Sequence, residues 1–200
     1  MFSKTKKLKI YKIKNFIQFN KFLNLFLFTI LNMKIKIVID ADCLNFLLNT
    51  EIGNKILKNC EIIIPPSILE ELDQKQQIKL KGFQYKIEFL NDKDKEYAAK
   101  LIYKISGKKE FKNWYLNGRF LKRIHNIGEC EGAAIAKRLN IDIVLLDRKA
   151  TSVIKQAFKF LRIKNIKLED FGLEILKQVG NIDYINEFKE ELRRRLHIFL

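Results

Sequence analysis

The chain is 200 residues long, is 48% hydrophobic and carries a formal net charge of +16. This length suits one globular domain with a sizeable core, and the charge favours anionic partners, nucleic acid first and an anionic membrane surface second. The chain has only 2 histidines and 3 cysteines, and their positions exclude the ligand spacing of a zinc site.

The cysteines are Cys43, Cys60 and Cys130, and none of them forms a CxxC pair. We interpret them as small buried hydrophobic side chains. Their number and spacing indicate a reducing, cytoplasmic setting.

Residues 1–32 differ from the rest of the chain. They hold seven lysines and no acidic residue, and their apolar part is interrupted by asparagine. That part is too short to span a bilayer, and no small-residue cleavage site of a signal peptide follows it. We therefore expect no membrane insertion. Our hypothesis is that the native protein starts at Met33, and mass spectrometry would refute it by finding native peptides upstream of Met33.

From Met33 onwards, short apolar strands alternate with helices. We predict strands over 34–40, 61–66 and 141–146, a helix after each of them, and a short edge strand near 162–166. Such alternation is typical of a parallel sheet with helices on both faces. The predicted fold class is therefore α/β, with a core domain over 33–167.

Residues 75–127 interrupt this alternation within the core domain. They contain fourteen basic and five acidic residues, with breaks near Gly82, Gly107 and Gly118. The pattern predicts two or three helices, which we interpret as a basic helical insertion. Residues 168–200 are predicted to form two C-terminal helices that pack on the core.

Acidic residues follow the predicted strands at the edge where parallel α/β sheets bind ligands. Asp40 ends the first strand, and Asp147 ends the strand over 141–146. Glu71 lies in the first turns of the helix that follows the second strand. These three acids are therefore expected near one another.

The sequence leaves two choices between neighbouring acids. Ser67 and Glu70 fit a capping box, which assigns Glu70 to the helix start and leaves Glu71 free. In the segment NIGECEGAAIAKRL, Glu129 and Glu131 would point about 200° apart on a helix, so that only one can face a shared site. We favour Glu131 for the site, and we interpret Glu129 as an acid that favours the helix start.

A cluster of such carboxylates has a specific chemistry. Like charges in one cleft are costly to keep ionised unless a cation compensates them. Oxygen ligands without histidine or cysteine select Mg²⁺ or Mn²⁺. A site of this kind can hydrolyse phosphodiesters with activated water and needs no protein nucleophile.

Three segments carry a resemblance to a known family. IVIDADCLNFLL, PPSILEEL and GECEGAAIAKRLNIDIVLLDRKA, in this order and spacing, resemble the PIN-domain nucleases over residues 34 to 160. The likeness is greatest to the prokaryotic subgroup whose third motif reads G-E-x-E. It implies a three-layer α/β/α PIN-like fold, a Mg²⁺- or Mn²⁺-dependent ribonuclease activity, and RNA as the substrate.

The resemblance also implies a set of site residues and partners. The residues that match the family's catalytic, metal-binding acids are Asp40, Glu71, Glu131 and Asp147. Asp42 and Glu129 are weaker metal-ligand candidates, and Asp42 equally fits a helix cap. Protein partners implied are an antitoxin or another regulatory protein, and a second copy of the chain. The insertion between the second and third acids is longer than in compact toxin-type members, which argues against a toxin role.

The basic insertion is the predicted nucleic-acid surface. The candidates for phosphate contacts are Lys79, Lys81, Lys86, Lys108, Lys109, Lys112, Arg119, Lys122 and Arg123. Tyr85, Trp114 and Tyr115 are candidates for stacking on unpaired bases, although aromatic residues at helical spacing more often belong to a core. Binding of this kind should weaken steeply with salt.

Two other function classes remain open from the sequence. A PIN-like fold without catalysis would serve as an RNA-binding or scaffold protein, and the retention of four acids argues against it. The D-x-D of Asp40 and Asp42 also occurs in phosphatases with an aspartyl nucleophile. The Gly-Thr that follows D-x-D in those enzymes is absent, and a phospho-aspartate trapped on Asp40 would support this alternative.

Overall fold

The structure is a computed structural model that describes residues 34–119, 121–146, 151–160, 162 and 164–196. All described elements belong to one unit, Ile35–Leu200. The N-terminal extension over 1–32 and the acid Asp147 lie outside the described residues. The start at Met33 and the proposed domain boundaries therefore stay predictions.

Five parallel strands form one sheet. They are β1 (Ile35–Ile39), β2 (Cys60–Ile64), β3 (Tyr85–Ile87), β4 (Ile143–Leu145) and β5 (Asn165–Lys167). The strand order is β3-β2-β1-β4-β5, and all four neighbouring pairs are parallel. The predicted parallel α/β class is confirmed.

Ten α-helices and one 3₁₀ turn connect the strands in the described part of the chain. The helices are α1 (Ala41–Leu48), α2 (Glu51–Leu57), α3 (Pro66–Glu71), α4 (Gln74–Leu80), α5 (Asp92–Ser106), α6 (Lys109–Leu116), α7 (Ile127–Leu139), α8 (Thr151–Phe160), α9 (Leu168–Gln178) and α10 (Tyr184–Leu196). The 3₁₀ turn covers Leu121–Arg123.

The helices form a layer on each face of the sheet, because successive strand side chains point to opposite faces. In β1, Ile37 and Ile39 enter a core with α1, α2, α9 and α10, whereas Val38 enters a second core with α5, α7 and α8. The three inner strands β1, β2 and β4 are largely apolar, as expected for a sheet buried on both faces. The three-layer α/β/α arrangement predicted from the sequence is therefore present.

The chain reverses its direction across the sheet between β1 and β4. It proceeds from β1 outwards through β2 to β3, and then returns through α5, α6 and α7 to place β4 on the other side of β1. A ligand site in an open parallel sheet is expected where the strand order reverses, beyond the carboxyl ends of the strands. Asp40 follows β1 directly at this point.

The small residues of α7 permit a close approach to the sheet. A Cβ on Gly132 would come within 3.0 Å of Val38 Cγ1 and 3.2 Å of Ile143 Cδ1. The helix therefore lies directly over β1 and β4, and its N-terminal end reaches the edge where Asp40 lies.

The sequence analysis missed β3, which lies within the predicted helical insertion. β3 has three residues and pairs with β2 at the edge of the sheet. Three residues are too few to show the period-two alternation by which a strand is recognised. The predicted edge strand near 162–166 corresponds to β5.

Two further predictions can be compared directly with the structure. All three cysteines are buried, which confirms their interpretation as small core residues. Within the described ranges, no helix is both long enough and apolar enough to cross a bilayer.

Candidate functional site

Asp40 occupies the carboxyl end of β1 and is the residue immediately before α1. Its backbone N–H donates to the Val144 carbonyl oxygen of the neighbouring strand at 3.1 Å. Its carboxylate makes no capping hydrogen bond to α1, although aspartate at this position usually does. Burial raises the pKa of Asp40 well above its usual value, and the negative charges of Glu129, Asp42 and Glu71 raise it further.

Glu71 is the last residue of α3 and lies against the start of α7. A Cβ on Gly128 would come within 2.8 Å of Glu71 Oε1, so the glycine leaves the space that this carboxylate fills. Burial and the charges of Glu129, Asp42 and Glu131 raise the pKa of Glu71 to about 7. Glu71 and Asp40 therefore share one negative field, although 31 positions separate them in the sequence.

Glu129 lies in the first turn of α7 and belongs to the same field. It is the largest charge contribution to the raised pKa of both Asp40 and Glu71. Burial, with a smaller effect of Asp42, raises the pKa of Glu129 itself. The structure thus places Glu129, rather than the favoured Glu131, among the charges that act on Asp40.

Glu131 is held by hydrogen bonds from two other helices. Ser67 Oγ of α3 donates to Glu131 Oε2 at 2.5 Å, and Tyr115 Oη of α6 donates to Glu131 Oε1 at 2.8 Å. Burial and the neighbouring Glu131 raise the pKa of Tyr115, which keeps its hydroxyl protonated as a donor. Glu131 therefore joins α3, α6 and α7 at the edge of the site.

The predicted capping box at Ser67 and Glu70 is wrong. The residue before α3 is Pro65, the helix begins at Pro66, and no side-chain hydrogen bond caps it. A proline at the first helical position needs no such cap, because its missing N–H removes one of the unsatisfied donors. Ser67 is therefore free to bind Glu131, a contact 64 positions away in the sequence that local spacing does not reveal.

The expectation that only one glutamate of α7 serves the site stays a prediction. Glu129 and Glu131 both line a cleft of about 710 Å³ together with Glu71. The cleft is broad, and glutamate side chains are long enough to reach it from different sides of the helix start. Sequence geometry gave the angle between the two side chains but not the width of the cleft.

Asp42 contributes charge to this group from the first turn of α1. It is exposed, and its charge raises the pKa of Asp40, Glu71 and Glu129. The residue before α1 is Asp40, so Asp42 does not occupy the capping position considered for it. Asp147, the fourth predicted acid, follows β4 but lies outside the described residues.

Basic and apolar side chains of the insertion also line the cleft. Lys95 of α5, Lys122 of the 3₁₀ turn and His125 face the cleft, as do Phe89 and Leu121. The carboxylates of α3 and α7 therefore share one cleft with cationic side chains of the insertion. The sequence analysis missed Lys95, His125 and Phe89, because their membership depends on how the insertion folds back over the sheet edge.

The predicted nucleic-acid residues are distributed unevenly around this cleft. Lys122 lines it, whereas Lys79 donates to Asn49 Oδ1 at 2.6 Å and Lys86 pairs with Glu88 at 2.6 Å. Lys108 lies over the ring of Phe111, 4.9 Å from its centroid. The phosphate-contact role stays a prediction for all nine residues, including Lys81, Lys109, Lys112, Arg119 and Arg123.

The predicted base-stacking residues are engaged within the protein. Tyr115 donates to Glu131, and Trp114 packs on Phe111 with ring centroids 5.3 Å apart. Tyr85 packs against the core on its face of the sheet. The alternative interpretation of these aromatics, as part of the packing, describes their contacts better.

The side chains around Asp40 are possible ligands of a metal ion. In the part of the chain that the structure describes, no three His, Cys, Asp or Glu side chains lie close enough together to enclose an ion. The group around Asp40 nevertheless offers carboxylate oxygens only, and their charges raise one another's pKa. A divalent cation would favour the ionised form of every member, so the donor chemistry fits Mg²⁺ or Mn²⁺.

Comparisons with known proteins find likenesses among solved structures alone. No protein-family model and no curated protein matches this chain. Among solved structures, a chain of the crystal structure of VapBC2 from Rickettsia felis, bound to a DNA fragment from their promoter, matches with 18% identity and a TM-score of 0.42. The match covers 66% of this chain and 98% of that one. A likeness at this TM-score carries no weight for function.

Proposed function

We propose that this protein is a metal-dependent nuclease that hydrolyses phosphodiester bonds of RNA with Mg²⁺ or Mn²⁺ as its cofactor. The observation that carries the proposal is that burial and the charges of other carboxylates raise the pKa of Asp40, Glu71 and Glu129. These acids come from three distant segments, and Asp40 follows β1 where the strand order of the sheet reverses. Strongly perturbed carboxyl groups in a cleft are characteristic of functional sites.

The chain's own residues have distinct roles in this proposal. Asp40, Glu71 and Glu129 would hold the cation, together with Asp147. When bound, the cation would stabilise negative charge on the phosphodiester and lower the pKa of water. Glu131 would orient α3 and α7 through Ser67 and Tyr115, so that the ligand-bearing ends of these helices keep their relative position.

The substrate class follows from the cleft and from the family resemblance. Lys95 and Lys122 line the same cleft as the carboxylates and supply positive charge for a phosphate backbone, and His125 lines it too. RNA, rather than DNA, is what the resemblance to PIN-domain nucleases implies. A protein regulator such as an antitoxin, a homodimer and a cytoplasmic location likewise stay predictions.

The test is cleavage of an RNA with single-stranded and paired segments by the full chain in Mn²⁺ and in Mg²⁺. EDTA should stop cleavage, and Asp40→Asn and Glu71→Gln should each reduce it by more than about 100-fold, the upper range for residues that merely support ligands. Glu61→Gln is the matched control. Glu61 lies near the amino end of β2, whereas the proposed site lies beyond the carboxyl ends of the strands, and it pairs with exposed Lys36 at 3.5 Å.

Three outcomes of this test would contradict the proposal. RNA binding without cleavage in either metal would favour the catalytically silent RNA-binding protein. A phosphorylated Asp40 would favour the phosphatase. Cleavage that survives both substitutions would mean that a contaminating nuclease or another site is responsible. A single-stranded DNA of the same sequence tests the RNA preference separately.

A further inference from the structure

We propose that Phe89 forms a subsite for one unpaired base of the nucleic acid that enters the acidic cleft. This inference rests on the proposed function and names the form of its substrate, a single strand. Phe89 lines the cleft that also holds Glu71 and Glu129. Its side chain is 73% exposed, the highest value among the large hydrophobic side chains described as exposed.

The exposure of Phe89 contrasts with the other described phenylalanines of the core. Phe46, Phe158, Phe171 and Phe188 are 0% to 4% exposed. A phenyl ring left in water forgoes the hydrophobic stabilisation that these rings provide. Phe89 shares the cleft with Leu121, which is 41% exposed, so two large apolar side chains are exposed within one cleft.

The backbone around Phe89 is fixed at both ends. Glu88 N–H donates to the Ile64 carbonyl oxygen at 2.9 Å, which extends the β2–β3 pairing to the residue before Phe89. Arg138 binds Glu88 at 3.0 Å and Asp94 at 2.8 Å, and it donates to the Phe89 carbonyl oxygen at 3.4 Å. The Phe89 ring therefore projects from an anchored loop, so that binding a ligand costs little conformational entropy of the backbone.

The cleft is lined by the carboxylates Glu70, Glu71, Glu129 and Glu131, by the cations Lys95 and Lys122, and by the apolar side chains Phe89 and Leu121. In the proposed function Glu71 and Glu129 hold the metal ion, Lys95 and Lys122 would face a phosphate backbone, and Phe89 and Leu121 would face apolar surface on the same ligand. A nucleotide combines an anionic phosphate with a flat aromatic base. The base must be unpaired and unstacked to expose its face to an aromatic side chain, so a single strand or a loop fits and a regular duplex does not.

The proposal is tested by binding, in a background that cannot cleave. Full-length Asp40→Asn protein in EDTA is titrated into a short single-stranded oligoribonucleotide that carries aminopurine, and anisotropy and aminopurine quenching are recorded. Phe89→Ala should weaken binding by about 5- to 150-fold, the range for the loss of one stacked base, and should abolish the quenching. Phe89→Trp should restore both signals.

The matched control is Tyr103→Ala, which removes another exposed aromatic ring of the insertion, 47% exposed and not on the cleft. It should leave both signals unchanged. The base subsite is refuted if Phe89→Ala binds like its parent, if Tyr103→Ala loses as much affinity, if a fully paired duplex of the same sequence binds equally well, or if the parent does not bind at all.

The two proposals fail separately in these experiments. Binding that depends on Phe89 without any cleavage by wild-type protein would retain the subsite and remove the nuclease. Cleavage by wild-type protein together with binding that is indifferent to Phe89 would retain the nuclease and remove the subsite.

Discussion

Two groups of acidic side chains differ in the direction in which their surroundings shift the carboxyl pKa. Glu88, which follows β3, and Asp94 bind Arg138, and Lys86 also pairs with Glu88. Hydrogen bonds from Lys86 and Arg138 lower the pKa of Glu88. In the other group, burial and mutual repulsion raise the pKa of every carboxyl that shows a shift.

This difference separates acids that form ion pairs within the fold from acids that we propose as metal ligands. The Arg138 group carries its own counter-charges and needs nothing further. Among the described residues, the charges that raise the pKa of Asp40, Glu71 and Glu129 are those of other carboxylates, and strongly perturbed carboxyl groups are characteristic of functional sites. Charge balance, rather than the mere presence of acids beyond the strands, therefore distinguishes the two groups.

The largest effect is expected from Arg138→Met, which keeps the length of the side chain and removes its charge. Asp94 is only 6% exposed and would lose its ion pair. Breaking a buried pair on one side leaves a charge without compensation, so the free energy of unfolding should fall by about 3 kcal/mol. Chemical denaturation measures this value.

Arg193→Met is the control for that substitution. Arg193 and Glu190 are 50% and 72% exposed, and a pair of this kind contributes less than about 1 kcal/mol. If the two variants lose the same stability, the Arg138 group is not the structural ion-pair cluster described here.

The converse result is expected for Asp40→Asn in the metal-free protein. Removing the charge relieves both the burial cost and the repulsion, so the free energy of unfolding should rise. Mn²⁺ should then stabilise the wild-type protein and leave the variant unchanged. Thermal unfolding with and without Mn²⁺ measures both effects, and a destabilised metal-free variant would show that Asp40 is a structural acid.

Much of the fold could be predicted from the sequence, because it depends on local pattern. The apolar runs of β1, β2 and β4 and the helices between them are repeated signals of the same kind, and they define a parallel sheet without knowledge of contacts. β3 was not predicted, because a three-residue edge strand is too short to show an alternating pattern. Its place is decided by pairing with β2, which is a tertiary fact.

The site was predictable in position and less so in detail. The rule for parallel sheets placed Asp40 and Glu71 together correctly. The sequence did not indicate how Glu129 and Glu131 are arranged, because the position of Glu131 depends on hydrogen bonds from Ser67 of α3 and Tyr115 of α6. Phe89 could not be found, since nothing in its local sequence says that its ring stays exposed.

A smaller effect is the pH dependence of stability without metal. Glu71 has a pKa of about 7 in the folded protein, against 4.5 for an unperturbed glutamate. Between these values the folded state keeps a proton that the unfolded state has lost, so the free energy of unfolding falls as pH rises through this window and levels off above it. The Glu71 residue as a whole is exposed while its carboxyl group lies against Gly128, so solvent screening limits the change to a few degrees in Tm.

Glu71→Gln should flatten this part of the pH profile, and saturating Mg²⁺ should reverse the loss at the upper end of the window. Glu61→Gln should leave the profile unaltered. A wild-type Tm that rises with pH across the same window would contradict the sign of the effect and the crowding of like charges around Glu71.

The smallest effect is expected at Glu131, whose carboxylate accepts hydrogen bonds from two neutral hydroxyls. Tyr115→Phe removes one hydrogen bond and keeps the ring, so the free energy of unfolding should fall by about 1 kcal/mol. Tyr103→Phe, an exposed tyrosine, should change nothing measurable.

Activity then distinguishes the two roles of Glu131. A metal ligand should lose activity in Glu131→Gln as completely as in Asp40→Asn. A positioning residue should lose about 10- to 100-fold, and Tyr115→Phe and Ser67→Ala should lower activity in the same direction without changing the Mn²⁺ concentration required for half-maximal rate. A Mn²⁺ requirement that shifts in Glu131→Gln but not in Tyr115→Phe would return Glu131 to the ligand set, beside Asp40, Glu71 and Glu129.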